Sequence, residues 1–263
     1  MSKRLIDKVV LVTGAGSGLG RATAIRLAEE GAALSLMDIS KDGLEATREQ
    51  VLQAASDCKV RNFVLSAADE SAMRDYIQQS ASEFGRIDGL HNNAGIEGAQ
   101  NQCIDEYESS IFDDVIDVNQ KGVFYGLKYA LPIMAKQGSG SIVNMSSVCG
   151  IRVVPNQVGY AASKHAVAGM TKSAAVEYGQ YGVSINAVCP GIIMTDMVVG
   201  AFKQIAGEDG WQAAVDEFAK ANPTRRLGDP AEVATLVSFL LSQESPYING
   251  AIIPIDGGQS MQF

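Results

Sequence analysis

The chain predicts an α/β fold built on a doubly wound parallel sheet, and three observations carry that prediction. Short apolar runs alternate with longer segments of helical periodicity from one end to the other. The first run feeds a glycine-rich turn, Thr13-Gly14-Ala15-Gly16-Ser17-Gly18-Leu19-Gly20, which opens directly into a helix. No internal repeat, low-complexity linker or long run of like charge breaks the alternation, so one domain is expected over 1–263.

Residues 8–13 (KVVLVT) are apolar and end in glycine, the mark of a buried parallel strand. A helix over 21–30 follows, closed by Gly31 as a C-cap. A second strand over 33–37 ends at Asp38, and a polar amphipathic helix over 42–55 comes next. A third strand (59–65), a helix (69–84) stopped by Gly85, and a fourth strand (88–92) lead into Asn92-Asn93-Ala94-Gly95. The segment 111–137 reads as mostly helical, but Asn119 and Gly122 weaken its middle, and a kink is expected there. The fifth strand, 140–145, ends at Ser146-Ser147. A long helix over 156–178, a sixth strand over 184–188 and Pro190-Gly191 follow. Residues 195–222 lack a strand pattern and are rich in Met, Phe, Trp and Ala, which predicts a helical lid. A helix over 230–242, with Pro in its first turn, and a short strand over 251–255 complete the chain.

Composition removes several function classes. The 263 residues carry a net charge of -9 at pH 7 with no basic block, which argues against nucleic acid and against an anionic membrane surface. No stretch approaches the ~20 apolar residues of a membrane span, and the N-terminal apolar run is too short for a secretory signal. Cys58, Cys103, Cys149 and Cys189 are far apart and form no C-x-x-C, which points to a reducing cytosol without a disulfide frame or zinc site. The C-terminal residues 259–263 hold no carboxylate, and no metal is expected.

In doubly wound sheets, ligands bind at the carboxyl ends of the strands. The glycine turn, Asp38, the NNAG turn and Ser147 should therefore converge. Gly14 permits the tight turn, Gly18 leaves room for a pyrophosphate at the helix N-terminus, and Gly20 allows close packing of helix on strand. The spacing is G-x-x-x-G-x-G, not the commoner G-x-G-x-x-G. Asp38 can accept both ribose hydroxyls of NAD and would repel a 2′-phosphate. Neither Ser17 nor Ile39 offers the cation NADP would want. In Tyr160-Ala161-Ala162-Ser163-Lys164, a helix puts Tyr160 and Lys164 one turn apart on one face. A phenol ionises near ~10, and an adjacent ammonium is expected to pull that value down by roughly two or three units, enough for proton exchange with an alcohol or carbonyl oxygen. His165 neighbours Lys164 and points off its face, and His91 lies in a strand; both read as structural.

TGAGSGLG, Asp38, NNAG at 92–95, Asn119, Ser147, YAASK at 160–164 and PG at 190–191 occur in an order that resembles the short-chain dehydrogenase/reductase family, over nearly the whole chain. The resemblance implies a Rossmann fold with strand order 3-2-1-4-5-6-7 and helices on both faces. It implies that Tyr160 is the acid/base, that Ser147 holds the substrate oxygen, and that Lys164 lowers the tyrosine pKa and binds ribose. Asn119 is implied to hold a water linking Lys164 to solvent. For NAD(H), it implies contacts from Gly14, Ser17, Gly18, Leu19, Asp38, Ile39, Asn93, Ala94, Gly95, Tyr160, Lys164, Pro190, Gly191, Ile193 and Thr195. Relatives usually carry Asp and an aliphatic residue after the third strand to bind adenine; here Ser66-Ala67 align there, and using Asp69 instead would need an insertion.

Finer stretches, such as Gly150-Ile151-Arg152 and Pro254-Ile255-Asp256-Gly257-Gly258-Gln259-Ser260, resemble a subgroup of NAD-dependent reductases acting on a cyclic diketone. The implied substrate is a cyclic or hydrophobic ketone, or its alcohol. It would lie among Ser147, Val148, Tyr160, Ile193, Met194, Met197 and lid residues including Trp211, with Asn156 and Gln157 in reach of a second oxygen. Asn156 and Gln157 read equally well as helix caps. A homotetramer is implied, with the long helices 111–137 and 157–178 at one interface and the last helix and strand at another. One rival within the family, a 3-oxoacyl-[acyl-carrier-protein] reductase, would favour NADPH and a basic patch, against Asp38 and the acidic charge. A second rival, an NAD-binding sensor without catalysis, would be expected to lack the tyrosine or lysine.

Overall fold

A computed structural model of the chain describes residues 3–153 and 155–262. Phe263, the end of the C-terminal stretch considered above for a metal, lies outside them. Seven parallel strands form one sheet in the order β3-β2-β1-β4-β5-β6-β7. They are β1 Val9–Thr13, β2 Ala33–Asp38, β3 Val60–Val64, β4 Gly89–Asn92, β5 Gly140–Met145, β6 Val183–Pro190 and β7 Ile252–Ile255. The helices are α1 Gly18–Glu29, α2 Lys41–Ala54, α3 Glu70–Phe84, α4 Ser109–Val115, α5 Gly122–Gln137, α6 Val158–Tyr178, α7 Asp196–Ala221 and α8 Pro230–Leu241.

Strand residues alternate between two cores, one on each face of the sheet. Val9 and Leu11 pack into a core with Met73, Tyr76 and Ile77 of α3, Val123 and Leu127 of α5, and Val167 of α6. Val10 and Val12 turn the other way, onto Ala24 and Leu27 of α1, Leu44 and Val51 of α2, and Val233 and Val237 of α8. With both faces covered, β1, β4, β5 and β6 are buried at every position; β1 reads as a nearly continuous apolar run, while β4, β5 and β6 also bury polar residues such as Asn92, Asn144 and Asn186.

The expected weakness around Asn119 takes a definite form. α4 passes into α5 through a π-helical turn, Ile116–Lys121, with Asn119 at its buried centre. Such a turn adds one residue to the helical repeat and turns a chosen side chain inward. Gly126, one α-turn further on, is required for a different reason: a Cβ there would lie 2.1 Å from Asn92 Oδ1. Asn92 donates to Asn144 Oδ1 (2.9 Å), and Asn144 donates to Thr171 Oγ1 (3.0 Å), so a buried polar line braces β4, β5 and α6 beneath the strand ends.

The predicted lid segment is helical, but α7 is broken at Gly207, whose φ of 75° no helix allows. The predicted 156–178 helix starts at Val158, because Asn156 sits at φ 64° and cannot extend it. Among the described residues no helix is long and apolar enough to cross a membrane.

Candidate active site

Beyond the carboxyl ends of the strands lies a cavity of about 550 Å³. Its wall includes Gly14, Ser17, Gly18, Leu19, Asp38, Ile39, Ser66, Ala67, Asn93, Ala94, Gly95, Ser147, Val148, Gln157, Tyr160, Lys164, Pro190, Gly191, Ile193, Thr195 and Met197. The glycine turn, the NNAG turn, the end of β5 and the YAASK helix therefore meet, as strand order requires.

The NNAG turn is anchored to the glycine turn. Thr13 Oγ1 accepts from the backbone N–H groups of Asn93 (2.9 Å) and Ala94 (3.0 Å), while Asn93 Nδ2 donates to the carbonyls of Thr13 and Gly14. Gly14 has φ 65°, and a Cβ on it would come within 2.8 Å of Ala94 Cα. Asn119 fixes the next part of the loop. Its Oδ1 accepts from Ile96 N (2.8 Å), and its Nδ2 donates to Ile96 O (2.8 Å) and Ser163 Oγ (3.1 Å). Asn119 is fully buried behind Gly95: a Cβ on that glycine would lie 3.2 Å from Asn119 Oδ1 and 3.4 Å from Lys164 Nζ. The π turn thus aims an amide at the loop, and Asn119 stands behind the cavity wall.

Lys164 is buried and donates from Nζ to Met145 O (2.9 Å), while Ser146 Oγ donates to Lys164 O (2.9 Å), which ties α6 to the end of β5. Nζ sits 5.5 Å from the centre of the Tyr160 ring. The ionisation expected for this pair needs correcting. Burial is the main influence on Tyr160 and pushes the phenol well above its ordinary value; the charges of Cys149 and Glu97 add to the rise, and the Ser147 hydroxyl, hydrogen-bonded to the phenol, opposes it. Burial also lowers Lys164, to about 8. Both groups share one desolvated pocket, so the penalty on each charged form exceeds the help that either gives the other. At neutral pH the pair is a protonated phenol beside an ammonium.

The cavity separates the remaining predicted residues. Asn156 and Met194 lie off its wall: Asn156 is exposed and its O accepts from Gln102 N (3.2 Å), and Met194 N donates to Gly228 O (3.1 Å). Trp211 is also off the wall. Gln157 is on it, adjoining Cys149. Ser66 and Ala67 occupy the adenine-side position, whereas Asp69 is spent as the N-cap of α3, accepting from Ser71 N and Ala72 N. Burial raises the Cys149 thiol. His91 is buried in β4 with no hydrogen-bond partner at either ring nitrogen among the described residues, and burial lowers it to about 3, so it is a neutral core residue. Sequence reading passed over Glu97, Gln100, Phe202, Ile205 and Phe218, all on the cavity wall. The one signal for Glu97 was an acid placed directly after the NNAG turn and Ile96.

The far end of the cavity fits a dinucleotide. α1 begins at Gly18 with no side-chain cap, as do α4, α5 and α6, and its first residues lie on the cavity wall beside Asp38. An uncapped helix N-terminus facing a cavity is suited to an anionic group. Asp38 ends β2 there and accepts from Gly16 N (2.8 Å) and Ser40 N (2.9 Å), which holds its carboxylate at the rim.

Comparison with known proteins agrees with this geometry. A family described as Enoyl-(Acyl carrier protein) reductase matches residues 14–260. Levodione reductase from Leifsonia aquatica is 51% identical over 260 residues, covering 99% of this chain and 97% of that protein. A crystal structure of levodione reductase superposes with a TM-score of 0.96 at 50% identity, covering 98% of this chain and 100% of that one. NAD+-bound xylitol dehydrogenase superposes with a TM-score of 0.91 at 33% identity, over 97% of this chain and 99% of its own. A 3-oxoacyl-[acyl-carrier-protein] reductase from Thermotoga maritima is 40% identical over 97% of this chain and 98% of its own.

Proposed function

The chain belongs to the short-chain dehydrogenase/reductase family, and we propose that it is an NAD(H)-dependent oxidoreductase interconverting a cyclic or hydrophobic ketone and its secondary alcohol. The observation that carries this reading is the meeting of Ser147, Tyr160 and Lys164 in one cavity with the uncapped start of α1 and Asp38. Likeness to levodione reductase and to an NAD+-bound dehydrogenase supports the substrate class and the cofactor.

Asp38 and the glycine turn would hold the adenosine and pyrophosphate of the cofactor, and Lys164 its nicotinamide-side ribose. When bound, the cofactor supplies or accepts the hydride. The Ser147 and Tyr160 hydroxyls donate to the substrate oxygen and stabilise the charge that develops on it. Tyr160 then gives its proton to that oxygen. Lys164, charged below about 8, steadies the phenolate left behind, and Asn119 keeps the loop and α6 in register with it. At neutral pH the phenol carries its proton, the form the reductive direction requires. The lid function of residues 195–222 within a single domain, a cytoplasmic location and a homotetramer belong to the same reading. Phe124 of α5 and Val176 of α6 are exposed apolar side chains on the helices that would form one tetramer interface.

The test is purified protein with a cyclic diketone and either NADH or NADPH, followed by loss of reduced nicotinamide absorbance. Turnover with NADH, at least about tenfold above NADPH, is expected from the repulsion between Asp38 and a 2′-phosphate. Preference for NADPH would favour the carrier-protein reductase reading, and no turnover of any ketone the sensor reading.

A further inference from the structure

The residues that chemistry needs account for one end of the cavity, yet an acid stands among them without a role. Glu97 lines the cavity with Ser147, Tyr160 and Lys164. It follows Ile96, whose N–H and C=O are both clamped by Asn119, so the start of its side chain is set by the same amide that braces the reaction centre. Three residues later, Gln100 N donates to Gln204 Oε1 of α7 (3.3 Å), which ties the far side of this loop to the lid. Glu97 is therefore held between the reacting groups and the lid. Its carboxyl forms no hydrogen bond or ion pair with any described residue. The more deeply buried acids of the chain do not stand alone: Glu30 has Arg4, Arg26 and Ser238, and Asp88 has Arg86 and Val9 N. A half-buried carboxyl without a protein partner on a cavity wall is available to hydrogen-bond a ligand that enters.

We propose that Glu97 is a specificity-determining residue that hydrogen-bonds a second oxygen of the substrate, so that the site selects a dione or hydroxyketone over a plain ketone. This rests on the ketone/alcohol reading above and adds the second oxygen to it. A neutral carboxylic acid donates to a carbonyl, and a carboxylate accepts from a hydroxyl. Burial raises Glu97 to about 7, with Lys164 opposing the rise, so both forms are present near neutrality. The titratable groups facing it are Tyr160 and Lys164 of α6 and Cys149 after β5. Asp38 and Asp196 lie elsewhere on the cavity wall, and Tyr107 OH packs beside Gly98 of the same loop. Below about 7 the acid favours a dione; above it, discrimination for the dione falls as the donor is lost.

The experiment compares wild type, Glu97→Gln and Glu97→Ala on cyclohexane-1,4-dione and cyclohexanone, by kcat/KM with NADH and by calorimetric binding of each ketone with NAD+ present. In Glu97→Ala, the preference for the dione, read as the ratio of the two kcat/KM values, should fall about ten- to hundredfold. Glu97→Gln, which retains an N–H donor but cannot titrate, should restore most of the preference and abolish its pH dependence near 7. Equal losses on both ketones, or no loss, would overturn the proposal. If the wild type binds the dione with a preference that Glu97→Ala removes yet reduces neither ketone, the oxidoreductase reading fails and this one stands. If it binds neither, the proposal fails as well.

Discussion

The two walls of the cavity are built in opposite ways. The wall formed by the NNAG loop, the end of β5 and α6 is held by bonds between elements remote in sequence: Asn93 to Thr13, Asn119 to Ile96 and Ser163, Lys164 to Met145, Ser146 to Lys164. The wall formed by α7 buries only Phe202 and Val215 and is broken at Gly207. It meets the rest of the site through Gln204 at Gln100, and its two halves meet through an edge-to-face pair, Phe202 with Phe218, at 5.2 Å. Proton transfer tolerates little displacement, so the first wall is over-determined. Substrate selection needs shape and tolerates motion, so a lightly held second wall serves it.

Removing the phenolic oxygen is the strongest attempt to break this contrast. Tyr160→Phe should lower kcat by about 10² to 10⁴ while NADH still binds, as read by quenching of protein fluorescence or by calorimetry. Near-normal turnover in the variant would show that the first wall is scaffold and that the proton comes from elsewhere.

The next effect should fall on the brace behind that wall. Asn119→Leu keeps the volume and removes three hydrogen bonds, leaving the Ile96 amide and carbonyl without partners. A stranded backbone group costs up to about 1–3 kcal/mol, and less where water reaches it, as at the partly exposed Ile96. The expected outcome is a lower Tm and a fall in kcat larger than any change in KM, since loop and α6 lose register together. Ser163→Ala, which removes a single bond to the same amide, should do less of both. If Asn119→Leu raised KM alone, the brace would be serving binding.

The same contrast separates what the residues announced from what they hid. Short, mainly apolar runs bounded by turn residues mark the strands, so β5 could be read at its observed ends and the others to within a few residues. Asn119 near Gly122 signalled a break in a helix, but whether that break is a kink or a π turn depends on Ile96, which is remote in sequence and hydrogen-bonded to the Asn119 amide. Tyr160 and Lys164, the pair proposed for proton transfer, were legible because their spacing is local. The ionisation of Tyr160 was not, because a neighbour at helical spacing is a sequence property, whereas the burial that outweighs it belongs to the assembled pocket. Met194 and Asn156 were misplaced for a related reason. Ile193 bridges to Gly228 and sets which of its neighbours face inward, and the positive φ of Asn156 turns it out of the helix. Glu97 escaped notice because an isolated acid in a loop has no pattern until the loop is clamped.

The smallest effects belong to the second wall, and they decide whether it is as permissive as it looks. Phe218→Ala removes one half of the ring pair that joins the two halves of α7 above the cavity. Phe218 is itself partly exposed, so the loss in stability should be modest, well under the ~3–5 kcal/mol of a core Phe→Ala change. Substrate fit should respond instead. KM for a bulky cyclic ketone should change by a few-fold with kcat nearly preserved, because Ser147, Tyr160 and Lys164 take no support from this ring. Gly207→Ala probes the same wall from its backbone. At φ 75° and ψ 172°, a region essentially confined to glycine, an alanine costs about 1–3 kcal/mol, and nothing crowds the added Cβ, so any change in KM reports the fold of α7 and not a clash. If either substitution lowered kcat as far as Asn119→Leu does, the two walls would be one mechanical unit, and the division of labour between proton transfer and substrate choice would have to be abandoned.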